Sequence, residues 1–243
     1  MENMDMFNTP NQFQFSAIEM ENLGATEYTI VNMLVDESGS VGGFKTELED
    51  TMGIILDSCK KHPRSENLLI RSAAFEGRDV REIHGFTTLD VVDKNVYCIN
   101  PGGSTPLWDA TLDAVETTAA YAQTLNDQDY FCNGILFVIT DGGENSSVRA
   151  NLSKIKDSVS KIRIDESLES IKMILIGVND SDSYLKNELN TFKNDAGFDE
   201  YVSLGDVTPS KLAKLAQWIS QSISSTSQSL GTGGPSQAVN FTL

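Results

Sequence analysis

Oxygen-bearing side chains at five positions of this sequence have the types needed to hold a metal ion together. Asp36, Ser38 and Ser40 alternate along one stretch, so they converge on one point if the chain stays extended there and then turns into a helix. Thr105 lies on a glycine-rich stretch, and Asp141 follows a long apolar run. Hard divalent cations take oxygen ligands, and Mg²⁺ keeps some waters rather than a full protein cage. The five side chains predict a site for Mg²⁺, Mn²⁺ or Ca²⁺.

These stretches lie where predicted strands end or a long helix begins. The runs at 28–35 and 134–140, directly before the two aspartates, are rich in the β-branched and large apolar residues of strands buried on both faces. Thr105 precedes Pro106, a pair typical of a helix start, which predicts that Thr105 caps the helix. Because open α/β sheets bind ligands at the carboxyl ends of their strands, we expect the three stretches at one edge of the sheet.

The rest of the chain alternates predicted strands with predicted helices. Apolar residues at helical spacing indicate amphipathic helices, the last of which starts at Thr208 and Pro209. The strands at 68–75 and 80–86 are joined by a short connection that contains Gly77, which predicts an antiparallel hairpin. We therefore expect an α/β fold of Rossmann-like type: a doubly wound, mostly parallel central sheet with one antiparallel edge strand and helices on both faces.

The two ends of the chain differ in composition from its middle. Residues 1–26 contain Asn, Gln, Phe and Met without a sustained period, and we interpret them as an N-terminal arm that packs against the domain or against a neighbour. Residues 27–225 form the predicted domain. Residues 226–243 are rich in Ser, Gly, Thr and Gln, a composition typical of a flexible tail.

Composition and charge argue against several classes of function. The net charge of −17, with no basic patch to offset it, opposes binding to nucleic acid or to anionic membranes. No apolar run approaches the ~20 residues of a membrane span, and the amino terminus lacks the features of a secretory signal. Three cysteines without CxxC spacing suit a reducing compartment. The sequence favours a cytoplasmic protein that binds cations, other proteins or both.

The three site stretches together resemble the metal-ion-dependent adhesion site of von Willebrand factor A domains. The resemblance is carried by Asp-x-Ser-x-Ser at 36–40, by Thr105 within Gly-Gly-Ser-Thr-Pro-Leu, and by Thr140-Asp141-Gly142 after an apolar strand. It covers about residues 27–224 in the order of strands and helices. Each motif alone is common in strand-to-helix turns, and their combination is what makes the resemblance specific.

The resemblance also implies how each side chain acts. Ser38, Ser40 and Thr105 would supply hydroxyl ligands. Asp36 and Asp141 would hold the ion directly or through water. The open coordination position would be completed by an acidic residue of a protein partner.

Three functions remain open from the sequence. The leading one is a non-enzymatic, metal-dependent protein-binding module, for which family analogy suggests an intracellular scaffold or assembly component of bacterial or phage origin. The second is a Mg²⁺-dependent phosphatase in which Asp36 attacks phosphate, although such enzymes carry a second acid at the place that Ser38 occupies here. The third is a structural subunit of a larger particle, with the arm and the tail as contacts and a vestigial metal site.

Residues near the motifs receive simpler interpretations. Glu37 and Glu144 are interpreted as solvated turn residues, and Trp108, on a predicted helix, is expected in the core. Two histidines without a nucleophile partner argue against a Ser-His-Asp hydrolase.

Overall fold

An eight-stranded sheet runs through the computed structural model, which describes residues 4–229 except for the side chains of Ser58 and Ser229. The strands are β1 (Met4–Asn8), β2 (Gln14–Ile18), β3 (Glu27–Asp36), β4 (Leu68–Glu76), β5 (Asp79–Thr88), β6 (Phe131–Thr140), β7 (Ser170–Gly177) and β8 (Glu200–Ser203). The helices are α1 (Lys45–Lys60), α2 (Leu107–Asn126), α3 (Leu152–Ile164), α4 (Ser183–Ala196) and α5 (Pro209–Ser229). The order of the strands is β1-β2-β5-β4-β3-β6-β7-β8.

The central strands of the sheet are parallel, as predicted. β3 pairs in parallel with β4 on one side and with β6 on the other. At the carboxyl ends of the second pair, Val35 lies opposite Ile139. The loops that follow β3 and β6 therefore leave the sheet side by side.

The apolar residues of the central strands are divided between two hydrophobic clusters. In β3, Ile30 and Leu34 belong to one cluster, whereas Val31, Met33 and Val35 belong to the other. The first cluster also contains residues of α2, α3 and α4, and the second contains residues of α1 and α5. Because successive side chains of a strand point to opposite faces, β3 is covered on both sides, which explains its continuous apolar sequence.

The antiparallel part of the sheet is larger than the sequence predicts. β4 and β5 form the expected antiparallel hairpin. However, β5 is not an edge strand, because β2 pairs with it in parallel through Ala17 and Phe86, and β1 pairs with β2 in antiparallel fashion. The prediction of one antiparallel edge strand is therefore wrong. Gly85 permits the close approach of β2, since a side chain there would overlap the backbone and hydroxyl oxygens of Ser16.

The segment interpreted as an N-terminal arm contributes two strands to this sheet. Phe13 and Phe15 are buried, and the ring of Phe7 stacks on that of Phe15 with a centroid separation of 5.1 Å. Gln12 adopts a left-handed conformation in the turn, and its N–H donates to the carbonyl of Thr9. Two strands this short carry too few residues to show a clear alternation in the sequence, which is why the pattern did not reveal them.

The starts of two helices test the predicted caps. Thr208 accepts a hydrogen bond from the backbone N–H of Lys211 at 3.3 Å, and α5 begins at Pro209, as predicted. In contrast, α2 begins at Leu107 with Pro106 as its cap residue and without a side-chain cap. The prediction that Thr105 caps α2 is therefore wrong, and its side chain is left for another role.

Helix α5 continues beyond the predicted start of the flexible tail. It ends at Ser229, so residues 226–229 are helical, and Thr226 and Ser227 are buried. Packing of the last turns outweighs the weak helix preference of the serines and threonines. Residues 230–243 of the predicted tail lie outside the described residues. Within residues 4–229, no helix combines the length and the apolar character needed to cross a bilayer.

Candidate metal centre

Asp36, Ser38 and Ser40 converge at the carboxyl end of β3. Asp36 is the last residue of the strand and is only 1% exposed. Its Oδ1 accepts a hydrogen bond of 2.8 Å from the backbone N–H of Ser38. The chain then enters a 3₁₀ turn at Gly39–Gly43, which brings the hydroxyl oxygens of Ser38 and Ser40 to 3.0 Å from each other. The alternate spacing thus places all three side chains together.

Asp141 joins this group from the neighbouring strand. It follows directly after Thr140, the last residue of β6, and is 7% exposed. The hydroxyl of Ser40 donates a hydrogen bond of 2.8 Å to Asp141 Oδ1. The hydroxyl of Thr140 donates one of 2.6 Å to Asp36 Oδ2. These two bonds connect the carboxyl ends of β3 and β6 through three of the candidate side chains and Thr140.

Thr105 reaches the group from the loop before α2. Its backbone N–H donates to the side-chain oxygen of Asn145 at 2.7 Å, and the N–H of Asn145 donates to the carbonyl of Thr105 at 3.1 Å. A Cβ atom at Gly142 would lie 3.2 Å from Thr105 Oγ1, so this hydroxyl lies against the residue after Asp141. All five predicted residues therefore lie at one edge of the sheet, although no hydrogen bond links the Thr105 hydroxyl to the others among the described residues.

The two carboxylates lie in a region with little positive charge. Among residues 4–229, no lysine or arginine forms a salt bridge with Asp36 or Asp141. Burial raises the pKa of Asp36 to about 6, against the lowering effect of its hydrogen bonds from Thr140 and Ser38, and the charge of Asp141 raises it further. Burial also raises the pKa of Asp141. Each charge is costly to form here, and a cation would reduce that cost.

The donor set is the kind that a hard divalent cation uses. Two carboxylates balance a double positive charge, and three hydroxyls add ligands without adding charge. In the described part of the chain, no group of three His, Cys, Asp or Glu residues is arranged to hold a metal. An ion at this position would therefore depend on the hydroxyls and on water.

Glu37 organises the loops around the centre. It is 2% exposed, and Arg81 of β5 binds both of its carboxylate oxygens, at 3.1 and 2.7 Å. The backbone N–H of Asn100 donates to the same carboxylate at 2.9 Å, and the N–H of Gly102 donates to the carbonyl of Glu37. The interpretation of Glu37 as a solvated turn residue is wrong. Its partner lies 44 residues away, so no local pattern reveals the pair.

The loop after β6 is fixed to the first turn of α2 by two acids. Glu144, interpreted from the sequence as a solvated turn residue, accepts a hydrogen bond of 2.8 Å from the backbone N–H of Trp108. Asp109, which is 1% exposed, accepts from three consecutive backbone N–H groups. These donors are Val148, Arg149 and Ala150. Both acids offset unsatisfied backbone donors and hold Asp141 and Thr105 in register. The signal for Asp109 was its place in the first helical turn.

Gly103 sets the path of the Thr105 loop. Its φ is +62°, and a side chain there would overlap the carboxylate of Glu76. The carbonyl of Gly103 accepts from the N–H of Gly39 at 3.3 Å, which joins this loop to the Asp-x-Ser-x-Ser turn. The glycine is needed both for its left-handed conformation and for this close approach.

Comparison with known proteins shows similarity of fold. No protein-family model matches the chain, and no curated protein matches it. A mutant of the PilB minor pilin from Streptococcus sanguinis superposes with a TM-score of 0.60 at 14% identity, over 90% of this chain and 66% of that one. The pilus adhesin SpaC from Lactobacillus rhamnosus GG gives 0.59 at 10% identity, over 93% of this chain and 34% of that one.

A shorter structure matches along nearly its whole length. The vWF domain of the type V pili tip protein Mfa5 from Porphyromonas gingivalis has a TM-score of 0.50 at 13% identity, over 82% of this chain and 96% of that one. This chain thus spans about two thirds of PilB and a third of SpaC, and almost all of the Mfa5 domain. The fold is von Willebrand factor A-like, which confirms that part of the resemblance.

Proposed function

We propose that this chain is a non-enzymatic protein-binding module that binds its partner through a divalent cation. The residues that would hold the cation are Asp36, Ser38, Ser40, Thr105 and Asp141. The observation that carries the proposal is the pair of buried aspartates linked through Ser38 and Ser40, with no salt-bridged cation among the described residues. The likeness of the fold to a pilus adhesin and to a vWF domain supports a binding role. Mg²⁺ is the preferred candidate, with Mn²⁺ and Ca²⁺ as alternatives.

The carboxylates and the hydroxyls have different roles in the proposed site. The aspartates supply negative charge and the hydroxyls supply neutral ligands, so a doubly charged ion would keep its capacity to attract a further anion. We propose that an acidic residue of the partner protein takes that position. The doubly wound arrangement, with α1 and α5 on one face and α2, α3 and α4 on the other, would leave this edge of the sheet open to the partner.

Two features favour binding over phosphate chemistry at Asp36. Both of its carboxylate oxygens accept hydrogen bonds, from Ser38 and Thr140. Ser38 also stands where a phosphatase of this type would carry its general acid. An assay of a generic phosphomonoester with Mg²⁺ tests the alternative. Turnover that Asp36→Asn abolishes would favour the enzyme.

The cellular setting is part of the proposal. Cys59, Cys98 and Cys132 are all free thiols, and two of them are buried. Unpaired cysteines support a reducing compartment. We therefore propose a cytoplasmic scaffold or assembly component, of bacterial or phage origin by family analogy.

A second candidate is a structural subunit of a larger particle. β1 stands at one end of the strand order, and Met6 on it is 67% exposed. A strand in that position offers backbone groups to another chain. Light scattering with and without EDTA separates the candidates, because large assemblies that ignore chelation would favour the structural role.

Isothermal titration calorimetry with MgCl₂ tests the main proposal. The wild-type protein should bind one ion, and Asp141→Ala and Ser38→Ala should abolish the binding heat while their circular dichroism stays unchanged. Asp157→Ala, an exposed acid on α3, is the matched control and should bind as the wild type does. Equal heats from all four proteins would refute the site. Capture of a partner with Mg²⁺, followed by elution with EDTA, then tests the binding role.

A further inference from the structure

A groove of about 330 Å³ opens beside the candidate metal centre. It lies between the first turn of α2, the loop after β6, and α4. Its lining includes Trp108, Gly143, Tyr184 and Phe192. Phe192 is buried, Trp108 packs against the first hydrophobic cluster but stays half-buried, and Tyr184 is 77% exposed. Gly143 follows Asp141 by two residues, so the groove and the metal centre share one loop.

The charged groups of this groove are all acidic. Its lining contains Glu144, Glu188 and Asp195 but no lysine or arginine. Glu144 already accepts hydrogen bonds from Trp108 and from the loop. Glu188 is different, because no hydrogen bond or salt bridge engages its carboxylate within residues 4–229, although the residue is half-buried.

The position of Glu188 connects the groove to the metal loop. A side chain at Gly143 would overlap the Glu188 carboxylate, so this carboxylate lies directly against the backbone that follows Asp141. Partial burial removes part of the hydration of this carboxylate, and a cationic ligand would offset that loss with a charge-assisted hydrogen bond. The aromatic lining adds a second preference, since aromatic faces attract cations and stack on planar guanidinium groups.

We propose that this groove binds an arginine side chain of the partner protein, next to the acidic residue that completes the metal centre. The guanidinium pairs with Glu188, and its stem packs on the apolar lining near Phe192. An acidic side chain would be repelled by Glu188, and an apolar one would leave that carboxylate covered and unpaired. The inference rests on the proposed function for the identity of the partner, whereas the charge and shape of the groove do not depend on a bound ion.

Nuclear magnetic resonance of the full chain tests the groove without the metal. In EDTA, the peptide Ac-Gly-Arg-Gly-NH₂ should shift the backbone amide signals of Gly143 and Glu188. Its citrulline and lysine counterparts should bind about fivefold more weakly, as expected for the loss of an ion pair or of its bidentate geometry at a partly exposed site. Glu188→Gln should lower the affinity for the arginine peptide by the same factor. Glu166→Gln, an exposed acid before β7, is the matched control and should change nothing.

The outcomes separate the groove from the metal centre. Equal affinity of wild type and Glu188→Gln for the arginine peptide, or signals that shift elsewhere, would overturn the proposal. Equal affinity for arginine and lysine would overturn the arginine preference. A second probe, Ac-Gly-Asp-Gly-NH₂ with and without MgCl₂, reports on the metal centre alone. Failure of that probe counts against the proposed function and leaves the arginine result standing.

Discussion

Two groups of acids in this molecule contain buried carboxylates and differ in how the charge of those carboxylates is compensated. In the first, Arg71 of β4 is 1% exposed and donates to Asp113 of α2 at 2.8 Å and to Glu82 of β5 at 2.9 Å. In the second, Asp36 and Asp141 receive hydrogen bonds only from hydroxyl groups and from backbone N–H groups among the described residues. The first group contains its own cation, and the second does not.

The difference is the one expected if the first group serves the fold and the second serves the proposed cation. A buried carboxylate destabilises a fold unless a positive charge and hydrogen bonds compensate for it. The chain provides that compensation around Arg71. At the carboxyl ends of β3 and β6 it leaves two acids that a cation from solution could neutralise. Under the proposed function, carboxylates are structural in the first group and bind a cation in the second.

Arg71→Met should cause the largest change in stability. It leaves Asp113 and Glu82 without their cation, so the free energy of unfolding should fall by about 3–5 kcal/mol. Urea denaturation measures the change. Arg78→Met, at an exposed turn position between β4 and β5, is the control and should change stability by less than about 0.5 kcal/mol. Similar losses from both variants would show that the Arg71 group is not the structural one.

In the metal-free protein, Asp36→Asn should change the free energy of unfolding in the opposite direction to Arg71→Met. Removing an uncompensated carboxylate should raise the free energy of unfolding at pH 7 by about 1–3 kcal/mol, whereas Asp113→Asn should lower it. MgCl₂ at 100 times its dissociation constant should stabilise the wild type by about 2.7 kcal/mol and should leave Asp36→Asn unchanged. Denaturation with EDTA and with MgCl₂ measures both effects. Destabilisation by Asp36→Asn in EDTA would remove the contrast between the two groups.

The pH dependence of the free energy of unfolding should show the same contrast on a smaller scale. Because the pKa of Asp36 is about 6 in the folded protein and near 3.8 in the unfolded chain, the folded state takes up a proton first as the pH falls. In EDTA, this group should therefore stabilise the fold by about 1 kcal/mol more at pH 5 than at pH 7. The gain is complete below the unfolded pKa and is lost as the pH rises through about 6. The difference between wild type and Asp36→Asn at each pH isolates it, and a flat difference would count against the assignment.

Arg81→Gln should give the smallest effect, a modest loss of Mg²⁺ affinity. It removes the bidentate partner of Glu37 at a site where the Arg81 side chain is 42% exposed, so the fold should persist. Looser positioning of the Asp-x-Ser-x-Ser turn should weaken Mg²⁺ binding by about threefold. Calorimetry against Arg78→Gln, in the same hairpin, measures this. Unchanged affinity would show that the Glu37 contact does not position the ligands.

Short-range patterns were sufficient for the parts of the fold that are locally encoded. The continuous apolar runs of β3 and β6 predicted buried parallel strands because both faces of these strands are covered. The Asp-x-Ser-x-Ser spacing predicted convergence because alternate residues of an extended chain share one side. The structure places Thr105 and Asp141 in the same region, although the cation itself remains a prediction.

Contacts between distant segments could not be predicted in this way. The N-terminal hairpin extends the sheet because Gly85 lets β2 approach β5, and Arg81 meets Glu37 across 44 residues. Asp109 binds the loop after β6, and Glu188 lies against Gly143, only once the helices have packed. Each of these depends on geometry that no spacing along the chain expresses.

The sequence by itself determined which side chains can ligate a cation and which segments form the central strands, because side-chain chemistry and local apolar periodicity are properties of neighbouring residues. Tertiary structure alone decided which buried acids pair with an arginine and which do not. It also decided where the acidic groove lies. The physical reason is that burial and charge pairing depend on what lies nearby in space, and folding brings Arg71 to Asp113 but no lysine or arginine to Asp36 within residues 4–229.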